Sequence, residues 1–444
     1  ALKRLGPLVQ QAELLAAQYD AVVANPPYMG SKGMNALVKK FAKDCFPDAS
    51  SDLFACFIER GFVFAKRAAF NAMITMQSWM FLSSFEKLRE RVLREKTIWT
   101  MAHLGARAFG SISGEVVQTT ISVLRNSSSG DYRPAFFRLL DGGEDKKRTA
   151  LAAGENRFDS VAQVEFGKIP GSPVAYWVSS GLRNTFESSN QLGSVYSAKV
   201  GLKTGDNDRF IRNWPEVSLL NVGFCESRES AASSSNKWFP FNKGGDFRKW
   251  YGNRQFLVNW RDDGREIIEW CTYLNTINTP GGVAINRDFY FRKSVSCSAI
   301  TSGAVTYRYY PDGAIFDINF RSFFVTDTLD AMYLLGLMNS NSVAYILKQI
   351  SPTLALNKEE IDKIPLVSIE KECISMSIER AIELAKRDWN NFEISWDFQS
   401  LPLLTASSDL TPTLESSYTA WITQNRATIA EMKRLEEENN RLFI

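Results

Sequence analysis

The sequence predicts an α/β protein with three parts: an open sheet over residues 1–145, an α+β region over 170–370 and helices over 371–444. Three observations predict this fold class. In the first part, short apolar runs alternate with stretches whose apolar residues recur at helical spacing. The second part combines many glycines with short strand-like runs, aromatic residues and arginines. In the third part, apolar residues return at spacings of three and four, which is typical of amphipathic helices.

The elements of the first part alternate along the chain. Residues 1–18 are predicted to form a partial helix, and Ala21–Ala24 a buried strand that Pro26 and Pro27 end. Ser51 and Asp52 precede a long helix, because such residues cap helix N-termini. The remaining predictions are strands at 71–76 and 98–103, a helix at 85–94, and a terminal hairpin of strands 116–124 and 132–140 across the turn 127–131.

The later elements are predicted from composition and periodicity. The stretch from Lys146, rich in alanine and glycine, is predicted to be a linker. Helices are predicted at 329–338, 342–350 and 374–385, and a charged amphipathic helix at 422–442 after a linker at 407–413. We expect this terminal helix to pack on its own domain, because charge runs are usually the solvated face of a helix.

Composition excludes several classes of protein. The net charge is only +3, so any binding of nucleic acid must come from local basic patches. No apolar run is long enough to span a bilayer. Six cysteines without a Cys-x-x-Cys pair, and a single histidine, disfavour a metal site, a disulfide framework and a Ser-His-Asp hydrolase. We therefore expect no metal and a reducing, cytoplasmic compartment.

The most informative motif is Asn25-Pro26-Pro27-Tyr28, which follows an acidic residue, Asp20, and a short apolar strand. An exocyclic amine such as N6 of adenine is a poor nucleophile, because its lone pair is delocalised into the ring. Two acceptors, the Asn25 carboxamide and the Pro26 carbonyl, could take both of its hydrogens. The prolines stiffen the loop, and Tyr28 could stack on a base flipped out of the duplex. The motif resembles the catalytic loop of methyltransferases that modify planar amino or amide nitrogens.

The elements after this motif resemble the second half of a class I (Rossmann-like) fold that depends on S-adenosylmethionine. The stretch 51–59, Ser-Asp-Leu-Phe-Ala-Cys-Phe-Ile-Glu, looks like the helix that follows the catalytic loop. The resemblance implies that this region helps to wall the cofactor and target pockets, with Asp52 and Phe54 on the cofactor side. It also matches residues 71–75 and 116–121 to later strands of the sheet.

A second stretch resembles a more specific group of methyltransferases. Residues 237–253, Lys-Trp-Phe-Pro-Phe-Asn-Lys-Gly-Gly-Asp-Phe-Arg-Lys-Trp-Tyr-Gly-Asn, resemble the adenine-specific DNA methyltransferases of BREX phage-defence systems, the PglX type. The stretches 201–207 and 335–340 look like the target recognition domain of that family. The resemblance runs from Tyr19 to about Leu404. It implies N6-adenine methylation of duplex DNA with S-adenosylmethionine, alongside other BREX proteins.

The family has a glycine-rich cofactor loop before its catalytic loop, and no such loop precedes Tyr19. We therefore expect the chain to be the C-terminal part of such an enzyme, without the N-terminal cofactor-loop region. The activity of this part by itself is then open to question.

Cations alternate with aromatic residues in the predicted recognition region, a combination that suits phosphates, guanine edges and bases. The predicted DNA contacts are Lys203, Thr204, Lys243, Arg248, Lys249, Trp250, Tyr251, Arg254, Arg287, Arg292, Lys293 and Arg308.

Two other functions remain open on the sequence. The chain could be a non-enzymatic module that recognises DNA or a protein that mimics DNA, such as a phage inhibitor. It could also belong to a methyltransferase that acts on protein glutamine or on RNA, since Asn-Pro-Pro-Tyr occurs in those enzymes too. The large basic and aromatic region disfavours the glutamine enzymes, which are compact.

Overall fold

A mixed six-stranded sheet organises the first of the two units into which the chain divides, Ala1–Ser189 and Asn190–Ile444. The computed structural model describes residues 2–109, 117–277, 279, 281–300, 304–350, 356–407, 409 and 411–443. The predicted α/β class is confirmed. The helices of 371–444, predicted as a separate part, lie within the second unit.

The helices of the first unit are α1 (Leu2–Ala16), α2 (Ala36–Cys45), α3 (Leu53–Phe64), α4 (Glu86–Glu95), α5 (Glu144–Ala152) and α6 (Ser180–Ser188). Its strands are β1 (Tyr19–Ala24), β2 (Ala65–Met76), β3 (Thr97–Gly105), β4 (Thr119–Arg125), β5 (Ala135–Arg138) and β6 (Arg157–Phe158). The predicted strand 21–24 and helices 1–18 and 85–94 are confirmed within a few residues. Helix α2 was not predicted, although Leu37 and Phe41 stand four residues apart; both are exposed, by 78% and 59%.

The strand order is β1-β2-β4-β3-β5-β6. Strands β1 and β2 are parallel, while β4 pairs antiparallel with both β2 and β3. Strands β1, β2 and β3 therefore run in the same direction and end at the same edge of the sheet. This edge matters because ligands of open α/β sheets bind at the carboxyl ends of parallel strands.

The predicted hairpin of strands 116–124 and 132–140 is wrong. Strand β3 lies between β4 and β5, and β5 pairs with it in parallel. The hairpin that does form joins β3 to β4. Alternation of apolar residues identifies strands but does not identify their partners, and the serine-rich turn suggested a local pairing. The predicted start at Val116 lies outside the described residues.

The predicted linker from Lys146 is instead helix α5, and Lys147 explains why it is ordered. This side chain is 4% exposed. Its Nζ atom donates to the carbonyls of Ala106 and Leu139 at 2.7 and 3.0 Å, and also to those of Leu104 and Leu140. Burial lowers the pKa of the Lys147 ammonium. The sequence gives no signal for this buried cation, which looks like part of a basic surface run.

Strand β1 leaves one edge open, since no described strand pairs with it on the side opposite β2. Beside it lies a cavity of about 840 Å³. Apolar residues of α1, β1, α2 and α3 line this cavity, and several are well exposed. Leu15 is 58% exposed, Phe41 59% and Phe57 42%.

The helices of the second unit are α7 (Leu192–Val195), α8 (Asn207–Phe210), α9 (Arg228–Ala232), α10 (Arg261–Thr276), α11 (Thr328–Met338), α12 (Asn341–Ile350), α13 (Lys358–Asp362), α14 (Glu372–Asn390), α15 (Pro402–Thr405) and α16 (Leu414–Leu442). Its strands are β7 (Ile211–Asn213), β8 (Trp238–Asn242), β9 (Phe256–Asn259), β10 (Ser294–Ser298), β11 (Tyr307–Tyr310), β12 (Ile315–Phe316) and β13 (Phe320–Phe323). They form a three-stranded sheet, β11-β10-β13, and a four-stranded sheet, β12-β8-β9-β7.

The predicted helices at 329–338, 342–350, 374–385 and 422–442 are confirmed as α11, α12, α14 and α16, although α16 begins eight residues earlier than predicted. Helix α16 packs on its own unit, as expected. Leu435 is 4% exposed, and Asn439 donates to the Gly336 carbonyl of α11 at 2.9 Å. Of the predicted linker 407–413, residues 408 and 410 lie outside the described residues.

Candidate active site and nucleic-acid interface

The loop Asn25–Tyr28 follows β1 directly and lies at the sheet edge where the parallel strands end. Pro26 is buried, Tyr28 is half-buried, and Asn25 is exposed. The Tyr28 hydroxyl donates to Asn25 Oδ1 over 3.5 Å, a long contact that leaves this oxygen able to accept another donor. The loop is therefore anchored by a proline while its carboxamide remains open to a ligand.

Asp52 holds this loop in place. Its Oδ1 atom accepts from the Met29 amide at 2.9 Å and, as the N-cap of α3, from the Phe54 amide at 3.3 Å. The Leu53 amide donates to the Met29 carbonyl at 3.1 Å. Burial raises the pKa of Asp52, and the hydrogen bonds from Met29 and Phe54 partly offset this shift. The Asp52 carboxylate therefore joins the Asn25–Tyr28 loop to α3, and its predicted place in the wall of a cofactor pocket stays a prediction.

Phe54 supports the Tyr28 ring. The two rings meet edge to face, with centroids 6.3 Å apart and planes at 89°. Phe54 is 1% exposed and packs in turn on Phe85. Its predicted contact with a cofactor stays a prediction. Burial raises the pKa of Tyr28 to about 12, so its phenol is neutral at physiological pH. The remaining surface of the Tyr28 ring is a rigid platform for a planar group.

A buried polar network that the sequence analysis missed lies along the same sheet edge. His103 Nε2 lies 2.6 Å from Gln77 Oε1, and His103 Nδ1 lies 3.3 Å from the Tyr176 hydroxyl. Burial lowers the pKa of His103 to about 3, so the imidazole is neutral. Both ring nitrogens are engaged by protein groups, which argues against a role in activating a nucleophile. The only signal in the sequence was a lone histidine within a predicted strand.

The described residues offer little to grip a cofactor or a metal. Asp52 and Phe54 are committed to the loop, and no glycine-rich loop after a first strand is present among them. Within the described ranges, no three His, Cys, Asp or Glu side chains could hold a metal ion. The six cysteines are free thiols. No helix in the described part of the chain is long and apolar enough to cross a bilayer.

In the second unit, many of the predicted DNA contacts serve to attach helices. Arg248 Nη1 lies 3.0 Å from Asp388 Oδ2, and its guanidinium lies 4.9 Å from the ring centroid of Trp389 on α14. Lys249 Nζ lies 3.1 Å from Glu436 Oε1 on α16. Both cations are therefore paired within the protein, which the sequence could not show because their partners are more than a hundred residues away.

Four further residues that were predicted to contact DNA are buried in the structure. Each of them is at most 9% exposed: Trp250, Tyr251, Arg254 and Arg308. Trp250 Nε1 donates to Glu436 Oε1 at 2.8 Å. Arg308 donates to the Tyr310 hydroxyl at 2.8 Å and to the Arg248 carbonyl at 3.1 Å. Alternation of cations and aromatics here forms buried cation–π and hydrogen-bonded contacts rather than a DNA surface.

Trp250 also has an unusual backbone, with φ at +71°. A bulky residue in this left-handed region is rare and persists only where the surroundings fix it. Here the Trp250 amide donates to the Tyr307 carbonyl at 3.1 Å, and the Tyr309 amide donates to the Trp250 carbonyl at 2.8 Å. The segment is thus held against β11 by its main chain and against α16 by its side chain.

In the loop of Lys203 and Thr204, one residue is buried and stabilises the fold, while the other is exposed. Thr204 is 3% exposed, and its hydroxyl donates to Asn207 Oδ1 at 2.7 Å, so it stabilises the turn into α8. Lys203 is exposed. A Cβ atom on Gly201 would lie 1.9 Å from the Phe316 carbonyl oxygen, which explains the glycine at this position.

The last four predicted contacts are nearer to the surface. Arg287 lies 3.9 Å from the Asp263 carboxylate, and the Lys293 amide donates to Asp312 at 2.7 Å. Lys243 lies over the Phe256 ring at 5.5 Å, and Arg292 lies over the Phe289 ring at 5.6 Å. Among the ion pairs of the described residues, none involves Lys203, Lys243 or Arg292. Lys203 and Arg292 are exposed, whereas Lys243 is partly buried and its charge acts on the Asp317 carboxylate.

The sheet, the rigid loop and its exposed carboxamide define the first unit as an α/β domain of the methyltransferase class. Consistently, residues 8–109 match the family described as Eco57I restriction-modification methylase. The solved structure of the Type IIL restriction-modification enzyme MmeI in complex with DNA has a similar fold. Its TM-score is 0.56 at 11% identity, over 95% of this chain and 53% of that one.

Two curated relatives identify the type within this class. The adenine-specific methyltransferase BrxX of Escherichia coli O9:H4 (strain HS) is 44% identical over 407 residues, 91% of this chain and 32% of the relative. The adenine-specific methyltransferase PglX of Lacticaseibacillus casei (strain Zhang) is 37% identical over 449 residues, 98% of this chain and 37% of the relative. The resemblance to PglX-type adenine-specific methyltransferases is therefore confirmed, and the chain spans about a third of the length of these relatives.

Proposed function

We propose that this chain carries the target-amine loop and the DNA recognition part of an enzyme that methylates N6 of adenine in duplex DNA within a BREX anti-phage system. One observation carries the proposal: Asn25 is exposed on a loop that Asp52 and a buried proline fix at the carboxyl edge of the sheet. The similarity to adenine-specific methyltransferases supports the choice of adenine. Duplex DNA is supported by the fold shared with MmeI, and other BREX proteins are proposed as partners.

In this proposal the loop residues position the amine rather than deprotonate it. Asn25 Oδ1 and the Pro26 carbonyl accept the two N–H hydrogens and draw the nitrogen lone pair out of conjugation. Tyr28, supported from behind by Phe54, stacks on the flipped base and offsets part of the cost of unstacking it. Because the prolines and Asp52 fix the loop in advance, little ordering is needed on binding.

S-adenosylmethionine, when bound, supplies the methyl group. Asp52 and Phe54, which the sequence analysis assigned to the cofactor, contact the loop and the tyrosine. The chemistry assigned to this chain is therefore the target side: binding the base, orienting the amine and stacking on the ring.

The substitution Asn25→Ala tests the proposal. We expect the full-length protein to lose methyl transfer to duplex DNA by at least about a hundredfold, because an acceptor that orients the amine is removed. DNA binding should be retained, since Asn25 holds no other element in place. The measurement is transfer of tritiated methyl groups, with Asn184→Ala, an exposed amide on α6, as the matched control. Methylation at the wild-type rate in the Asn25 variant would contradict the proposal.

A second candidate is a recognition module without catalysis, for DNA or for a DNA-mimic protein such as a phage inhibitor. The exposed cations Lys203 and Arg292, which suit phosphate contacts, support it. Under this alternative, Asn25→Ala leaves every measurable activity unchanged, while binding to DNA weakens steeply between about 50 and 200 mM salt. A methyltransferase acting on protein glutamine or RNA would be revealed by modification of those substrates but not of duplex DNA.

A further inference from the structure

Two loops of the second unit bring two cations together around one partly exposed phenylalanine. Lys199 Nζ lies 5.5 Å from the ring centroid of Phe289, and the Arg292 guanidinium lies 5.6 Å from the same centroid. Arg292 is exposed, and Lys199 and Phe289 are partly exposed. We call Lys199, Lys203, Phe289 and Arg292 the basic strip. Lys199 and Phe289 were not among the predicted DNA contacts.

The backbone that carries the strip is tightly fixed. The Lys203 amide and carbonyl exchange hydrogen bonds with Val283 at 2.8 and 2.7 Å, and Asn286 Nδ2 donates to the Val200 carbonyl at 2.9 Å. A Cβ atom on Gly282 would lie 2.5 Å from the Lys203 carbonyl oxygen. The main chains of the two loops therefore pack against each other, and this packing fixes the backbone positions from which the cationic side chains extend.

Unlike several other cations of this unit, the cations of the strip have no carboxylate partner among the ion pairs of the described residues. Arg209, Arg228 and Arg265 each lie within 3 Å of a carboxylate. Two cations that share one ring repel each other, and a cation–π contact at an exposed site gains only about 0.5–1 kcal/mol. Such a grouping is favourable mainly when an anion binds across it.

We propose that the basic strip binds the phosphate backbone of duplex DNA, with Phe289 holding the two cations apart at fixed positions. The inference rests on the proposed function and names residues that serve it. Duplex DNA carries one negative charge per about 1.7 Å of axis, so both cations can neutralise phosphates at once. The buried arginines Arg254 and Arg308 cannot do so.

The test is the salt dependence of binding. Lys199→Ala/Arg292→Ala removes two phosphate contacts, so the slope of log Kobs against log salt concentration should become shallower by about 1.8. Between about 50 and 200 mM salt, the variant should lose about tenfold less affinity than the wild-type chain loses. The measurement is fluorescence anisotropy of a labelled duplex of mixed sequence, with the folding of each variant checked by circular dichroism.

Two controls make the result specific. Arg265→Ala removes an exposed arginine of the same unit that is paired with Asp262 at 2.7 Å, and it should leave the slope unchanged. Lys199→Arg/Arg292→Lys keeps both charges and should also keep the wild-type slope. If the wild-type chain binds duplex DNA and the double-alanine variant keeps the wild-type slope, the proposal that the strip binds phosphates is wrong, while the proposed function stands. If the wild-type chain does not bind duplex DNA, both proposals fail.

Discussion

Asp52 shows how a single side chain can serve a site without touching a substrate. One carboxylate oxygen caps α3 and also accepts from Met29, the residue after the Asn25–Tyr28 loop. The start of the helix and the position of the loop are therefore set by the same atom. We interpret Asp52 as a positioning residue for Asn25 and Tyr28.

Replacing Asp52 separates this role from cofactor binding. Asp52→Ala should reduce kcat by about 10- to 100-fold, since loop displacements of about 1 Å can cost that much, and should destabilise the fold by about 1 kcal/mol through the lost cap. Asp52→Asn retains an oxygen acceptor and should restore most of kcat. The measurement is steady-state methylation with S-adenosylmethionine and DNA varied separately. A rise in KM for S-adenosylmethionine with unchanged kcat would instead support the role predicted from the sequence.

At this scale, the sequence predicted the residues whose chemistry is local and not those whose partners are distant. Asn25 and Tyr28 belong to one short motif, so their placement after β1 followed from the sequence alone. The contacts of Asp52 with Met29, and of His103 with Gln77 and Tyr176, join residues more than twenty positions apart. Nothing in composition or periodicity reports such pairs.

Among the elements, the segment 248–254 shows the largest difference between the role predicted from the sequence and the contacts seen in the structure. Its cations and aromatics were predicted to face DNA, yet they connect the strands of the second unit to α14 and α16. The helices themselves were predicted well, because amphipathic periodicity is a local signal. The packing of the segment 248–254 on these helices was not predicted, since a cation beside an aromatic residue looks the same in the sequence whether it is exposed or buried.

This docking can be measured through Glu436, which accepts from the buried Trp250 indole and pairs with Lys249. Glu436→Ala leaves the indole N–H unsatisfied, and we expect a loss of about 1–3 kcal/mol in the free energy of unfolding. Glu437→Ala is the matched control, because Glu437 is 56% exposed and lies 3.9 Å from Lys433. That control should cost less than about 0.5 kcal/mol. Equal urea midpoints for the two variants would contradict the assigned role.

For the whole molecule, the division into two units separates the predicted chemistry from the predicted recognition. The target-amine loop lies in Ala1–Ser189, and the basic strip lies in Asn190–Ile444. The sequence predicted a first part ending at residue 145 and a second beginning at 170, while the two units divide after Ser189; the helix held by Lys147 looked like a linker. Burial of a lysine under four carbonyls is a tertiary effect that no local pattern reveals.

The buried role of the segment 248–254 also bears on how sequence specificity could be altered. A residue that fastens a helix is constrained by that helix, whatever DNA sequence the protein reads. Relatives with different target sequences should therefore keep Trp250 and Arg308 while their exposed loops diverge. An engineer who wished to retarget such a protein would leave this aromatic segment untouched and diversify surface positions around the loops of Lys203 and Arg292.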